Sequence, residues 1–208
     1  MTTTLGALRA VAAAPRTAEV QRTTRETDIT VRLTLDGGGT ADIATGIGFY
    51  DHLLTSLAHH GLFDLEITAR GDLHVDEHHT VEDVALVLGA AFAEALGERA
   101  GITRFGDSSV PMDEAVATAI LDIGGRPYAV IDLPFRGERV GELPLQLIDH
   151  ALEAFARTAG ATLHVRGTGR NDHHLAEAAF KALARALRSA CDTDPRRTGV
   201  ASTKGVLE

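Results

Sequence analysis

The sequence predicts an α+β fold made by internal duplication: a strand-strand-helix-strand-helix unit occurs twice, with helices covering one face of the sheets. Three observations lead there. Hydrophobic periodicity switches between two and 3.6 residues in the same order in both halves. Asp51-His52 opens an apolar helical stretch, and so does Asp149-His150. Downstream of each comes a second matched motif, His78-His79-Thr80-Val81-Glu82 in the first half and His173-His174-Leu175-Ala176-Glu177 in the second. Residue identity between the halves is modest, so the repeat lies in order and motif placement.

Each element follows from its pattern. Residues 1–20 read as a disordered tail, Ala-rich with Arg9, Pro15 and Arg16. The first half spans 21–101. Ile29, Val31, Leu33 and Leu35 alternate as a strand over 27–35. Asp36-Gly37-Gly38-Gly39 turns the chain into a second strand over 40–45. Phe49, Leu53, Leu54 and Leu57 fall at helical spacing, 62–69 alternates again, and 80–96 is an apolar helix stopped by Gly97. Residues 102–114 link this half to the second, and the two together occupy 102–191. There the strands are 116–123 and 128–133, joined by Gly124-Gly125-Arg126-Pro127. A helix over 145–158, a strand over 162–166 and a helix over 175–190 complete the unit. Residues 192–208, with Pro195 and Gly199, read as an irregular C-terminal segment.

Composition narrows the function. A chain of 208 residues with 44% hydrophobic content can bury a real core, and scarce aromatics make that core aliphatic. A net charge of -9 argues against nucleic acid as partner. The single cysteine, Cys191, excludes an internal disulfide framework and points to a reducing cytoplasm. No apolar run is long enough for a membrane span, and the N-terminus lacks the apolar block of a signal peptide.

The repeated motifs carry the chemistry. Six imidazoles (His52, His78, His79, His150, His173, His174) and two carboxylates (Glu82, Glu177) are the ligand inventory for two metal ions. Neighbouring helical residues point about 100° apart, so two adjacent His do not serve one ion well. A Glu three or four residues on shares a face with one member of its pair. Each pair is therefore expected at a helix N-terminus, split between two sites. The duplication suggests sites composed from both halves: a lone His, one member of each pair and one Glu. Asp51 and Asp149 are candidates for orienting His52 and His150, with helix capping as the competing role.

On these residues the chain resembles the imidazoleglycerol-phosphate dehydratases, from about Arg22 to Leu207. Further matching blocks are Arg25-Glu26-Thr27, His60-Gly61-Leu62-Phe63-Asp64, Arg104-Phe105-Gly106, Met112-Asp113-Glu114-Ala115, Gly125-Arg126-Pro127 and Ser202-Thr203-Lys204-Gly205. Departures are Gly46-Ile47-Gly48-Phe49-Tyr50, Glu77 in place of a common Asp, and Gly199-Val200-Ala201.

The resemblance implies a cytoplasmic manganese enzyme of histidine biosynthesis, binding two Mn²⁺ per chain and removing water from imidazole glycerol phosphate to give imidazole acetol phosphate. It assigns His52, His79, His173 and Glu177 to one ion, and His78, Glu82, His150 and His174 to the other. It makes Glu26 the acid/base and places His60, Arg104, Arg126, Ser202 and Lys204 at the substrate, so that 192–208 completes the substrate site. His59, His74 and His164 are left as surface or packing residues. The resemblance further implies a homo-oligomer of 24 subunits built from trimers, with sites shared between subunits. Rival readings are a di-metal hydrolase, a non-catalytic metal-binding shell and a repeat-built interaction module. The His-rich inventory with one Glu per ion disfavours the first.

Overall fold

A computed structural model describes residues 15–207. The first half runs β1 (Thr17–Thr23), β2 (Thr27–Thr34), β3 (Ala41–Ala44), α1 (Gly48–Gly61), β4 (Asp64–Gly71) and α2 (His78–Leu96). The second runs β5 (Phe105–Met112), β6 (Ala115–Asp122), β7 (Tyr128–Asp132), the short pair β8 (Arg139–Val140) and β9 (Leu143–Pro144), α3 (Gln146–Ala159), β10 (Thr162–Thr168) and α4 (Asp172–Cys191). The two main sheets have the same topology, β1-β2-β4-β3 and β5-β6-β10-β7. In each, the last-named strand is parallel to its neighbour and joined to it through a helix, and the other pairings are antiparallel.

The α+β class and the duplication hold, but each half opens with a strand the periodicity did not predict. β1 begins at Thr17, inside the expected tail, and β5 occupies most of the expected link. Both are sheet-edge strands with few buried positions, and those are filled by small residues such as Ala18 and Gly106. Alternation carried by Ala and Gly gives almost no hydrophobic signal. Gly106 is small of necessity, since a Cβ there would run into the α4 backbone at the Ala186 carbonyl and come within 2.9 Å of Ala190 N. The rest of the expected tail, residues 1–14, lies outside the described residues.

The helices lie between the sheets. α1 and α2 cover the inner face of the first sheet, α3 and α4 that of the second, and the layers meet as α1 on α4 and α2 on α3. Val, Ile and Leu at alternating positions of β2, β4 and β10 point into this space, with Ala alternating along β6. An aromatic ladder crosses the halves: Phe63 meets Phe92 edge-on at 5.1 Å between centroids, and Phe92 meets Phe155 at 5.5 Å. The main helix contacts between the halves thus join the first helix of one half to the second helix of the other. No helix among the described residues is long and apolar enough to cross a membrane.

Candidate metal centres and substrate site

The swapped helix pairing creates two clusters. Where α1 meets α4, His52 Nε2 lies 3.0 Å and His173 Nε2 2.8 Å from the same oxygen of Glu177. Where α2 meets α3, His78 Nε2 lies 3.8 Å and His150 Nε2 3.5 Å from Glu82. In each cluster the donor atoms fall within 4.8 Å of one another. Each takes its lone His from one half and its His-x-x-x-Glu pair from the other. The i,i+4 spacing selects the first member of each His pair, because His78 stacks one turn below Glu82 and His173 one turn below Glu177.

Local structure holds these side chains. Asn171 caps α4, accepting from His173 N at 3.0 Å, which fixes the first turn carrying the pair. Phe49, from the segment that departs from the family pattern, lays its ring against His173 at 4.9 Å and His52 at 6.1 Å. Glu77 receives Arg139 at 2.7 Å, and the Asp172 carboxylate accepts from the backbone N–H groups of Arg136 and Gly137. The β8–β9 excursion is thereby tied to the residue preceding each His pair.

Each glutamate also has a cation that is absent from the expected site residues. Lys181 Nζ sits 2.5 Å from Glu177 and Arg157 donates to Glu82 at 2.9 Å. Burial works against the charge on Glu177, but Lys181, His52 and His173 outweigh it and bring the carboxyl to about 2. Glu82 is likewise held below its usual range, Arg157 and His150 overcoming burial. Lys181 repeats the i,i+4 spacing one turn beyond Glu177, a signal available in the sequence; Arg157 comes from the facing helix and left none.

His79 and His174 lie outside both clusters, so within one chain each expected four-ligand set supplies three. The turn between neighbours explains it: His78 faces inward across the α2–α3 seam while His79 faces Asp72 at 3.0 Å, with Glu26 at 3.9 Å. His174 likewise turns to Glu114 at 2.9 Å. Asp51 and Asp149 do not orient His52 and His150. Asp51 instead accepts from Thr45 N and Oγ1 at 2.9 and 2.5 Å, bracing the entry to α1. Asp149 has a buried oxygen without a hydrogen-bond partner, and burial, with Glu153 and Asp132 nearby, pushes its carboxyl up to about 6.

Glu26 sits in the β1–β2 turn, where Thr24 Oγ1 accepts from both Glu26 N and Thr27 N. The buried Asp83 on α2 ties this turn down, receiving Arg22 at 2.7 Å and Thr27 Oγ1 at 2.5 Å. Arg104, Arg126, Ser202 and Lys204 line one cavity of about 360 Å³ with Phe105, and none of the cluster residues lines it. The Arg104 guanidinium, however, forks onto Asp122 at 2.7 and 2.8 Å and donates to the Ala201 carbonyl at 2.5 Å. It anchors the C-terminal segment against β6, which leaves the anion-facing role to its neighbours. His60, in the last turn of α1, is half-buried; burial first, then His59, Lys181 and Arg185, push its pKa down.

A family model described as imidazoleglycerol-phosphate dehydratase matches residues 45–187, which contain every ligand-type residue of both clusters. The chain belongs to the imidazoleglycerol-phosphate dehydratase family. Relatives of that name include one from Gluconacetobacter diazotrophicus, 56% identical over 194 residues, covering 92% of this chain and 98% of the relative. One from Methanoculleus marisnigri is 55% identical over 192 residues, covering 92% of this chain and all of the relative. The crystal structure of the Pyrococcus furiosus enzyme in complex with (S)-C348 superposes with a TM-score of 0.79 at 39% identity, covering 90% of this chain and 100% of that one. The Staphylococcus aureus enzyme gives 0.78 at 33%, with 86% and 99% covered.

Proposed function

We propose that the chain dehydrates imidazole glycerol phosphate to imidazole acetol phosphate and water in histidine biosynthesis, in the cytoplasm, using two Mn²⁺ ions per chain. The observation that carries this reading is the pair of His-His-Glu clusters, each built from both halves, on a chain of this family. The residues fit a divalent ion. Imidazole nitrogen with one carboxylate oxygen suits Mn and its first-row neighbours. His150 Nε2 is buried without a hydrogen-bond partner, as a nitrogen kept for a metal would be. His52, His173 and Glu177 would hold one ion with His79, and His78, Glu82 and His150 the other with His174. Since His79 and His174 face away from the clusters of their own chain, other copies would supply them, in keeping with the 24-subunit shell of trimers that the resemblance implies.

When bound, the ions supply Lewis-acid polarisation and a template for the substrate's imidazole. The rest falls to side chains. The carbon-bound proton to be lost has no carbonyl beside it, so the ring must take up the electrons. Loss of the ring N–H proton drives out the adjacent hydroxyl, which takes up a proton and leaves as water. Loss of the neighbouring carbon-bound proton, with the ring nitrogen reprotonated, leaves an enol that ketonises. Glu26 is our acid/base: its carboxylate is exposed, reachable and beside His79. Arg126, Lys204 and Ser202 bind the phosphate dianion, the guanidinium by paired donors and the ammonium as a point charge. Arg104 holds the segment 192–208 that presents two of them, and His60 lines the substrate's approach near Lys181.

Turnover of imidazole glycerol phosphate by metal-stripped protein, before and after Mn²⁺ is restored, tests this. Activity should return with the ions and be lost in Glu26→Gln, which should still bind them. Two bound ions per chain with no turnover would contradict the proposal.

A further inference from the structure

The duplication extends beyond the ligands. Glu26 is the residue before β2 and Glu114 the residue before β6, so the two occupy the same place in the two halves, each at the turn of the leading hairpin. Each also lies beside the second His of its own half's pair: Glu26 Oε2 is 3.9 Å from His79 Nδ1, and Glu114 Oε2 is 2.9 Å from His174 Nδ1. The halves differ in one respect. In the first, Asp72 from the β4–α2 loop has taken the position against His79, at 3.0 and 3.3 Å. In the second, the corresponding loop reads Gly169-Arg170-Asn171 and carries no carboxylate. Glu114 there accepts the backbone N–H groups of Arg170 and Asn171 at 3.0 and 2.7 Å as well as the His174 ring.

A carboxylate accepts and does not donate, so each ring carries a proton on Nδ1, and the neutral imidazole that binds a metal then presents its Nε2 lone pair outward. We infer that Asp72 and Glu114 are positioning residues that fix the tautomer and aim of His79 and His174 as metal ligands, and that Asp72 thereby frees Glu26, the counterpart of Glu114, for proton transfer. This rests on the ligand reading above. It accounts for exposure as well: the Glu26 side chain is 55% exposed and that of Glu114 24%. One carboxylate is locked into the scaffold and its twin is left facing solvent and substrate.

The test measures Mn²⁺ affinity at both sites of the assembled protein by calorimetric titration, with the unfolding temperature of the metal-free protein as control. Asp72→Ala and Glu114→Ala should each weaken one site by about 10–100-fold and spare the other, as loss of a ligand's partner does. Glu26→Gln should leave both affinities unchanged while turnover falls. The amide variants Asp72→Asn and Glu114→Gln keep size and one acceptor, so they should fold if the alanine variants do not, with smaller losses. Wild-type affinity at both sites in Asp72→Asn and Glu114→Gln, with His79→Ala and His174→Ala each losing an ion, would overturn the positioning role. Two ions retained by His79→Ala and His174→Ala would instead overturn the ligand reading.

Discussion

Gly89, in the middle of α2, sits where that helix crosses α3. A Cβ built there would lie 2.5 Å from the Phe155 carbonyl oxygen and 2.9 Å from Ala159 N, and would strike the Thr158 hydroxyl. Alanine would ordinarily gain a mid-helix position about 1 kcal/mol over glycine. Here the obstacle is the backbone of the facing helix, so α2 and α3 must separate by close to an ångström. Overpacking of this kind costs about 1–3 kcal/mol. Thr158 Oγ1, which donates to the Leu86 carbonyl at 2.7 Å, loses its place and adds roughly 1 kcal/mol. Gly89→Ala should therefore destabilise the fold by about 2 kcal/mol net, measured as the shift in urea midpoint. The same seam aims His78 and Glu82 at His150, and a displacement near 1 Å can weaken a geometric site by about a hundredfold. Metal affinity should fall at that cluster and hold at the α1–α4 cluster. A Gly89→Ala protein as stable as its parent, with both affinities intact, would refute the close crossing as the device that sets the second cluster.

Other outcomes follow from single contacts. Asn171→Ala removes the α4 cap and should cost about 1 kcal/mol in urea unfolding, with the α1–α4 cluster the one weakened. Lys204→Ala should raise KM about tenfold with kcat little changed, the size of one lost charge-assisted contact; an unchanged KM would count against the phosphate role. Backbone N–H groups of Thr40 and Gly38 hold the Asp64 carboxyl below its usual range. A lowered folded value means that its stabilisation is present above the unfolded carboxylate range and is lost as pH falls through the folded one. The stability gap between the parent and Asp64→Ala should accordingly narrow below about pH 4, and a gap that widens there would reverse the sign.

The repeated His motifs and the helices bearing them were legible because both signals are local: ligand spacing, and apolar side chains at helical period. The i,i+4 geometry also made Glu82 and Glu177 partners of one His each, though only the packed helices reveal that His78 and His173 are those partners. The edge strands β1 and β5 were not legible, since Ala18 and Gly106 bury backbone rather than large side chains. Asp72 and Glu114 were likewise hidden: Asp72 reaches His79 from a loop seven residues earlier and Glu114 lies 60 residues from His174, and no periodicity announces a carboxylate arriving from a loop. Asp51 and Asp149 looked like the natural partners only because they adjoin histidines along the chain. In an α-helix adjacent residues diverge, so adjacency is poor grounds for contact. Arg104 shows a similar limit, for its charge is visible in sequence but its commitment to Asp122 is not.

In the proposed enzyme two separate clusters, one at each crossed helix pair, would each hold one ion. Counting Mn²⁺ per chain in the parent protein and in Glu82→Gln and Glu177→Gln decides this. The parent should bind two ions and each variant one, with the remaining site at near-parent affinity. Two ions kept by either variant, or both lost from one of them, would contradict it.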